Sequence, residues 1–289
     1  MNQPLDMKSG EKGAWISIFA YLFLAGTKLI VAYIGTSDAL WADGLNNSTD
    51  VVASIAILIG LRISQKPPDQ NHRYGHYRAE TIASLLAAFI MVAVGLQVIF
   101  STIIKVFEGN TVRPDMLTAW TALGAAVVMY VVYKYNLSLS RKVNSSALYA
   151  ASQDNRSDAL VSIGAFIGIV GAQFGIFWLD PLAGFIVGVI ICKTAWEIFK
   201  DSTLMLTDGF DEERLKKIKE EISKFPEVKK VEDIKGRALG NQSVLDVTIK
   251  VDPELNVRQG HDITVNIEEK LADKHGILYT HIHIEPYNE

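Results

Sequence analysis

Through roughly the first two hundred residues, apolar positions run in long blocks broken by short polar turns. After about Asp211 they thin out to helical and alternating spacings among charged residues. Crossing about 30 Å of hydrocarbon takes about 20 helical residues. Six blocks are long enough, near 14–35, 38–63, 79–107, 114–134, 145–175 and 181–200. In the tail, DEERLKKIKEEISKF reads as an amphipathic helix, and VKKVEDIKGRAL and SVLDVTIKV read as strands. VRQGHDITVNIEEKLADKHG reads as a second helix closed by Gly276, and YTHIHIEPY as a last strand. The pattern predicts an α-helical membrane protein with six transmembrane helices over 1–207. A small cytoplasmic α+β domain of order αββαβ follows over 208–289.

The stretch DGLNNSTD, Asp43 to Asp50, decides what the second block holds. Uninterrupted apolar sequence after it lasts only 11 residues, Val51 to Leu61, which is too short to cross. A spanning helix has to begin near Ala39, which places Asn46 and Asp50 inside it, four apart and therefore on one face. A lone carboxylate at that depth costs about 2.5–3.5 kcal/mol and requires a partner. The fifth block, containing SQDNRSDALVSIGAF, supplies Asp154 and Asp158, again four apart. Two helices with two oxygen-bearing residues each are the simplest source of a four-ligand cation site. Counted from the outer turns, Asp154 and Asp158 lie deeper than the first pair by about 10 Å. Tilt or a longer outer end of the fifth helix would absorb that difference. The competing readings are solvation of Asp154 and Asp158 at the cytoplasmic interface, and helix–helix hydrogen bonding by Asn46 and Asp50.

Charge and composition add orientation and exclusions. The chain is 49% hydrophobic with a formal net charge of −4. From Asp211 to Glu289 there are 17 acidic and 13 basic residues, so the whole acidic excess lies in the tail. That balance argues against nucleic acid as a partner and favours cations. Lys8, Lys12, Arg62, Lys66, Arg73, Arg78, Lys134, Arg141 and Lys142 fall on one side of the spans, whereas the opposite turns GTSD, EGNTVRPD and GIFWLD hold only Arg113. The positive-inside rule then puts both termini in the cytoplasm. Lys28 and Lys105 fall within spans and are expected to snorkel toward an interface. The only cysteine, Cys192, allows neither a disulfide within the chain nor a cysteine zinc site. MNQPLDMKSGEKG lacks the apolar core of a cleaved signal peptide.

These features together resemble the cation diffusion facilitators, a family of divalent-metal/proton antiporters of the cell membrane. The resemblance is carried by the two intramembrane pairs, the loop PPDQNHRYGHYRAE and the αββαβ tail, and covers nearly the whole chain. It implies a transport site of Asn46, Asp50, Asp154 and Asp158. Zinc-transporting members usually place a histidine in this set, and this chain has none, which resembles the manganese-type branch. Carboxylate and carbonyl oxygens suit Mn²⁺, although Zn²⁺ and Fe²⁺ stay open because oxygen ligation alone does not exclude them. The resemblance further implies a second metal site at Asp69, His72 and His76. There the two histidines would chelate as an i, i+4 pair if the loop were helical. The alternative is a structural role for the loop, joining it to the third helix. Arg78 and Asp208 match a charge pair that ties the membrane domain to the tail. The tail would be a metallochaperone-like dimerisation domain. His261, His283 and Glu285 fall at positions where relatives bind metal at the dimer interface. Glu232 stands where some relatives carry a histidine. His275 and His281 read as surface residues.

The implied activity is efflux of a divalent metal from the cytoplasm by a homodimer in the plasma membrane. Protons are the counter-ion and no cofactor is required. Ligation needs deprotonated carboxylates, so metal and protons would compete for Asp50, Asp154 and Asp158. Two other classes fare worse. No histidine lies in any of the six blocks, which removes a zinc protease of the HExxH kind, and an aspartyl enzyme's glycine-flanked aspartate motif is missing. A metal sensor that transports nothing would need only the tail ligands, not four polar residues buried between two helices.

Overall fold

A computed structural model of the chain describes residues 4–35, 38–108 and 115–287. Expectations resting on the side chains of Asp43, Lys8, Lys105 and Arg113 fall outside the described residues. The chain packs as two units, 1–202 and 203–289.

The first unit holds the long helices α1 (Pro4–Gly35), α2 (Asp38–Ser64), α3 (Arg78–Glu108), α4 (Met116–Val143), α5 (Ser146–Gln173) and most of α6 (Leu179–Leu206). Among the described residues, four of them, α1 to α4, are long and apolar enough to cross a membrane by length and composition. The helices outrun the apolar blocks. Described from Pro4 onward, α1 already runs through the polar stretch that precedes Trp15. α4 ends at Val143, nine residues past the apolar block that predicts it, and is capped by the left-handed Asn144, φ 52°.

Small residues let the helices approach. The buried face of α4 carries Ala119, Ala122, Ala125, Ala126 and Met129, a helical spacing that packs against α1 and α5. At Gly95 of α3 an added Cβ would lie 2.7 Å from Cys192 Sγ of α6, so glycine is required for this crossing. The first half of α5 is buried on nearly every side, from Ala147 through Ala159. Its start is doubly fixed. Ser145 caps it by accepting from Leu148 N at 3.1 Å, and the buried Glu80 of α3 accepts from Ala147 N at 3.4 Å.

The second unit contains α7 (Glu212–Ile222), β1 (Lys230–Leu239), β2 (Gln242–Val251), α8 (Val257–His275) and β3 (Tyr279–Pro286), the order αββαβ. The sheet order is β1-β2-β3. β1 runs antiparallel and β3 parallel to β2, as the α8 crossover requires. Leu245, Val247, Ile249 and Val251 of β2 meet Ile218, Ile222, Ile263, Ile267 and Leu271 in one apolar core. Asn256 and Gln259 form a capping box on α8, and Gly276, at φ 61°, ends it.

Candidate metal centre between the helices

The carboxylates of Asp50 on α2 and of Asp154 and Asp158 on α5 are buried, and an oxygen of each lies within 4.8 Å of the others. Asn46, one turn from Asp50, donates from Nδ2 to Asp50 Oδ2 at 3.3 Å, which leaves its own Oδ1 as an acceptor. The four residues singled out from spacing are therefore in one place. The expected depth offset does not keep the pairs apart: an oxygen of Asp50 lies within 4.8 Å of oxygens of both α5 aspartates.

The sequence reading missed a residue of α1 that completes the site. The buried Tyr21 hydroxyl donates to Asp158 Oδ2 and to Asp154 Oδ2, the latter at 3.0 Å. Its oxygen accepts from Asn155 Nδ2 at 3.0 Å. Asn155 Oδ1 in turn accepts from Ser17 Oγ at 3.1 Å and from Asn136 Nδ2 at 2.9 Å, and Asn136 Nδ2 also donates to Ser17 Oγ at 2.8 Å. This network joins α1, α4 and α5 beside the carboxylates. The only hint in the sequence is QDN, where Asn155 adjoins Asp154; the packing of α1 is not written in any spacing.

Lys28 corrects the snorkelling expectation. Its side chain is fully buried and its Nζ donates to Asn47 Oδ1 at 2.7 Å and to Ser162 Oγ at 3.5 Å. Lys28 lies seven residues, or two turns, beyond Tyr21, so both point to the same side of α1, into the bundle. Buried hydrogen-bond acceptors from two helices outweigh the reach toward an interface.

A second cluster forms in the loop between α2 and α3. Asp69, His72 and His76 each offer a ligand atom within 4.8 Å of the others. Asp69 Oδ1 lies 3.2 Å from His72 Nδ1, and Oδ2 lies 3.3 Å from His76 Nε2. The loop is not helical here. The rings meet, centroids 4.3 Å apart, because the chain turns at the left-handed Gly75, φ 83°. Backbone N–H groups of His72 and Asn71 donate to Asp69 and hold its carboxyl below the usual carboxylate range.

In the tail, His283 and Glu285 share one face of β3, their side chains 3.8 Å apart, and His261 is exposed on α8. Among the described residues of this single chain these do not gather into a metal-holding cluster. Glu232 is engaged by two lysines, Lys230 at 2.8 Å and Lys250 at 3.2 Å, which hold its carboxyl below its ordinary value. His281 is exposed, whereas His275 is half-buried and its carbonyl accepts from Arg214 at 2.9 Å. Arg78 opens α3, and Asp208 stands after α6 with a left-handed backbone, φ 60°.

Comparison with known proteins supports the same class. The family model described as "Cation efflux transmembrane domain" matches residues 14–207, and "Cation efflux protein, cytoplasmic domain" matches residues 210–287. The chain belongs to the cation efflux family, the cation diffusion facilitators. It is 54% identical over 284 residues to the manganese efflux system protein MneS of Bacillus subtilis, covering 98% of each chain. It is 49% identical over 286 residues to the uncharacterized transporter YdbO of the same organism, covering 99% of each. It is 33% identical over 291 residues to the manganese efflux system protein MneP, also of Bacillus subtilis, covering 96% of this chain and 97% of the relative.

Proposed function

We propose that this membrane protein exports divalent manganese from the cytoplasm in exchange for protons, through a site made of Asn46, Asp50, Asp154 and Asp158. The observation that carries this reading is the convergence of three buried carboxylates within 4.8 Å between α2 and α5, with an amide beside them. A site of carboxylate and carbonyl oxygens suits Mn²⁺ better than the softer ions that prefer imidazole or thiolate. Two relatives named as manganese efflux proteins support the same choice.

The cycle follows from the ligand chemistry. Metal enters from the cytoplasm and displaces protons, because only deprotonated carboxylates ligate. The helices then expose the site to the other face, where protons compete for the same oxygens and release the metal. Asn46 carries no proton and tunes the site. The excess of Lys and Arg on one side of the spans supports a plasma-membrane orientation with both termini cytoplasmic. Asp69, His72 and His76 form a second, cytoplasmic metal site. The tail pairs two copies into a homodimer, in which His261, His283 and Glu285, with Glu232 alongside, bind metal and tighten the pair. Arg78 and Asp208 tie the membrane domain to the tail.

Uptake into proteoliposomes holding a pH gradient tests the proposal, with Mn²⁺, Zn²⁺, Fe²⁺ and Cd²⁺ compared for the wild type and Asp158→Ala. Mn²⁺ flux that needs the gradient and vanishes in the variant is the expected result. Zn²⁺ or Fe²⁺ flux without Mn²⁺ flux would overturn the choice of ion. Undiminished flux in a folded Asp158→Ala protein would overturn the site.

A further inference from the structure

We propose that Lys28 is a built-in counter-charge of the transport site, which holds down its affinity for Mn²⁺ so that the ion can leave. The proposal rests on the reading of Asp50, Asp154 and Asp158 as metal ligands. Among the described residues, Lys28 is the one Lys or Arg side chain that is buried. Two helices place its Nζ near the carboxylates. On α2 it donates to Asn47 Oδ1 at 2.7 Å, and Asn47 lies three residues before Asp50. On α5 it donates to Ser162 Oγ at 3.5 Å, and Ser162 lies four residues after Asp158. Residues three or four apart are neighbours on a helix face, about 5–6 Å between Cβ atoms, so the ammonium stands roughly one turn from the ligands on both helices. Backbone packing fixes it there. A Cβ added at Gly44 of α2 would come 2.9 Å from Leu29 Cγ and 3.2 Å from Leu29 N, so α1 and α2 cross closely right beside Lys28.

Charge decides what such a neighbour does. Three carboxylates and one ammonium sum to −2, the charge that one divalent ion cancels. Without Lys28 the same pocket would carry −3 and hold a divalent ion more tightly. At about 8 Å, one turn plus a hydrogen bond, a doubly charged ion and an ammonium repel enough to weaken binding at least tenfold, even at an effective dielectric of about 40. A site that has to give up its ion on the other face gains from that repulsion, because tight binding slows release. Asn47 and Ser162 are neutral acceptors, which any neutral donor would also satisfy. A counter-charge, by contrast, requires the positive charge itself.

Titration of the detergent-solubilised protein with Mn²⁺ tests this, at an alkaline pH where protons compete least, following the electron paramagnetic resonance signal of the free ion. Wild type, Lys28→Met, Lys28→Gln, Lys28→Arg and Asp158→Asn are compared, with Mn²⁺ uptake into proteoliposomes measured alongside. In Lys28→Met and Lys28→Gln the Kd of the binding that Asp158→Asn abolishes falls roughly tenfold or more, and the maximal uptake rate falls with it. Lys28→Arg, which keeps the charge, stays within about threefold of the wild type. Unchanged or weaker binding in folded Lys28→Gln, or equal tightening in Lys28→Arg, would overturn the proposal. Tighter binding with an undiminished maximal rate would also overturn it, because release would then not depend on Lys28. If Lys28→Met does not reach the membrane folded, Lys28→Gln, a neutral donor in the same place, decides. Asp158→Asn separates the two levels. Lost Mn²⁺ binding there with an unchanged Kd in Lys28→Gln defeats the role of Lys28 alone. Full Mn²⁺ binding in Asp158→Asn defeats the ligand assignment beneath it.

Discussion

Replacing Asp50 with asparagine removes one charge from the cluster and keeps the shape of the side chain. The ligand oxygens of Asp50, Asp154 and Asp158 lie within 4.8 Å of one another. At an effective dielectric of about 20, two such charges repel by about 3.5 kcal/mol. A doubly charged ion about 3 Å from each carboxylate attracts it by about 11 kcal/mol on the same scale. The variant forfeits that attraction. At most it recovers two repulsions, about 7 kcal/mol together, that the metal-free site can relieve by separating its charges. The remaining loss is about 4 kcal/mol, roughly a thousandfold in Kd. The assay is titration of the detergent-solubilised protein with Mn²⁺, following the electron paramagnetic resonance signal of the free hexaaqua ion. A folded Asp50→Asn protein that binds Mn²⁺ within about tenfold of the wild type would refute the reasoning, because no ion held by all three carboxylates loses so little.

Other consequences are open to test. Ile249, fully buried in the tail core, should cost about 2–5 kcal/mol when cut to alanine, read as a lowered unfolding midpoint of the tail, while Mn²⁺ binding between the helices stays unchanged. Lys274 and then Lys224 hold the Glu221 carboxyl down to about 2. A depressed carboxyl stabilises the fold fully above its ordinary value near 4.5, and this contribution fades as pH falls toward 2. Lys274→Met should therefore shift the fading to higher pH, seen as a higher Glu221 midpoint in carboxylate NMR. His283→Ala should loosen the dimer, measured by analytical ultracentrifugation with and without Mn²⁺, and leave part of the flux; complete loss of flux in a folded dimer would contradict a purely regulatory tail.

How much was legible in the sequence depended on what fixes each feature. The pair on α2 could be read because the apolar run after Asp50 is too short to cross without it, and the pair on α5 from its matching i, i+4 spacing, which by itself also fitted solvation at an interface. The tail order could be read from strand alternation and from Gly276. Tyr21, Ser17 and Asn136 could not, because α1 and α4 read as apolar spans and only packing shows which of their side chains turn inward. Lys28 misled for the same reason: a lone lysine in an apolar block looks like one that reaches for an interface. In the loop the residues were legible but their conformation was not, since D-x-x-H-x-x-x-H fits a helix by spacing while Gly75 bends it into a turn.

The burial of α5 bears on how the protein is made. Asp154, Arg156 and Asp158 stand within five residues of one another, and α5 is not among the helices apolar enough to count as a span on composition. Each such side chain costs about 2.5–3.5 kcal/mol at the centre of a bilayer. A segment like this does not partition into lipid by itself as the ribosome delivers it. The donors that make it acceptable, Tyr21 and Ser17 on α1 and Asn136 on α4, are all synthesised earlier. Chain order thus has the receiving surface waiting in the membrane before the most polar helix leaves the translocation machinery.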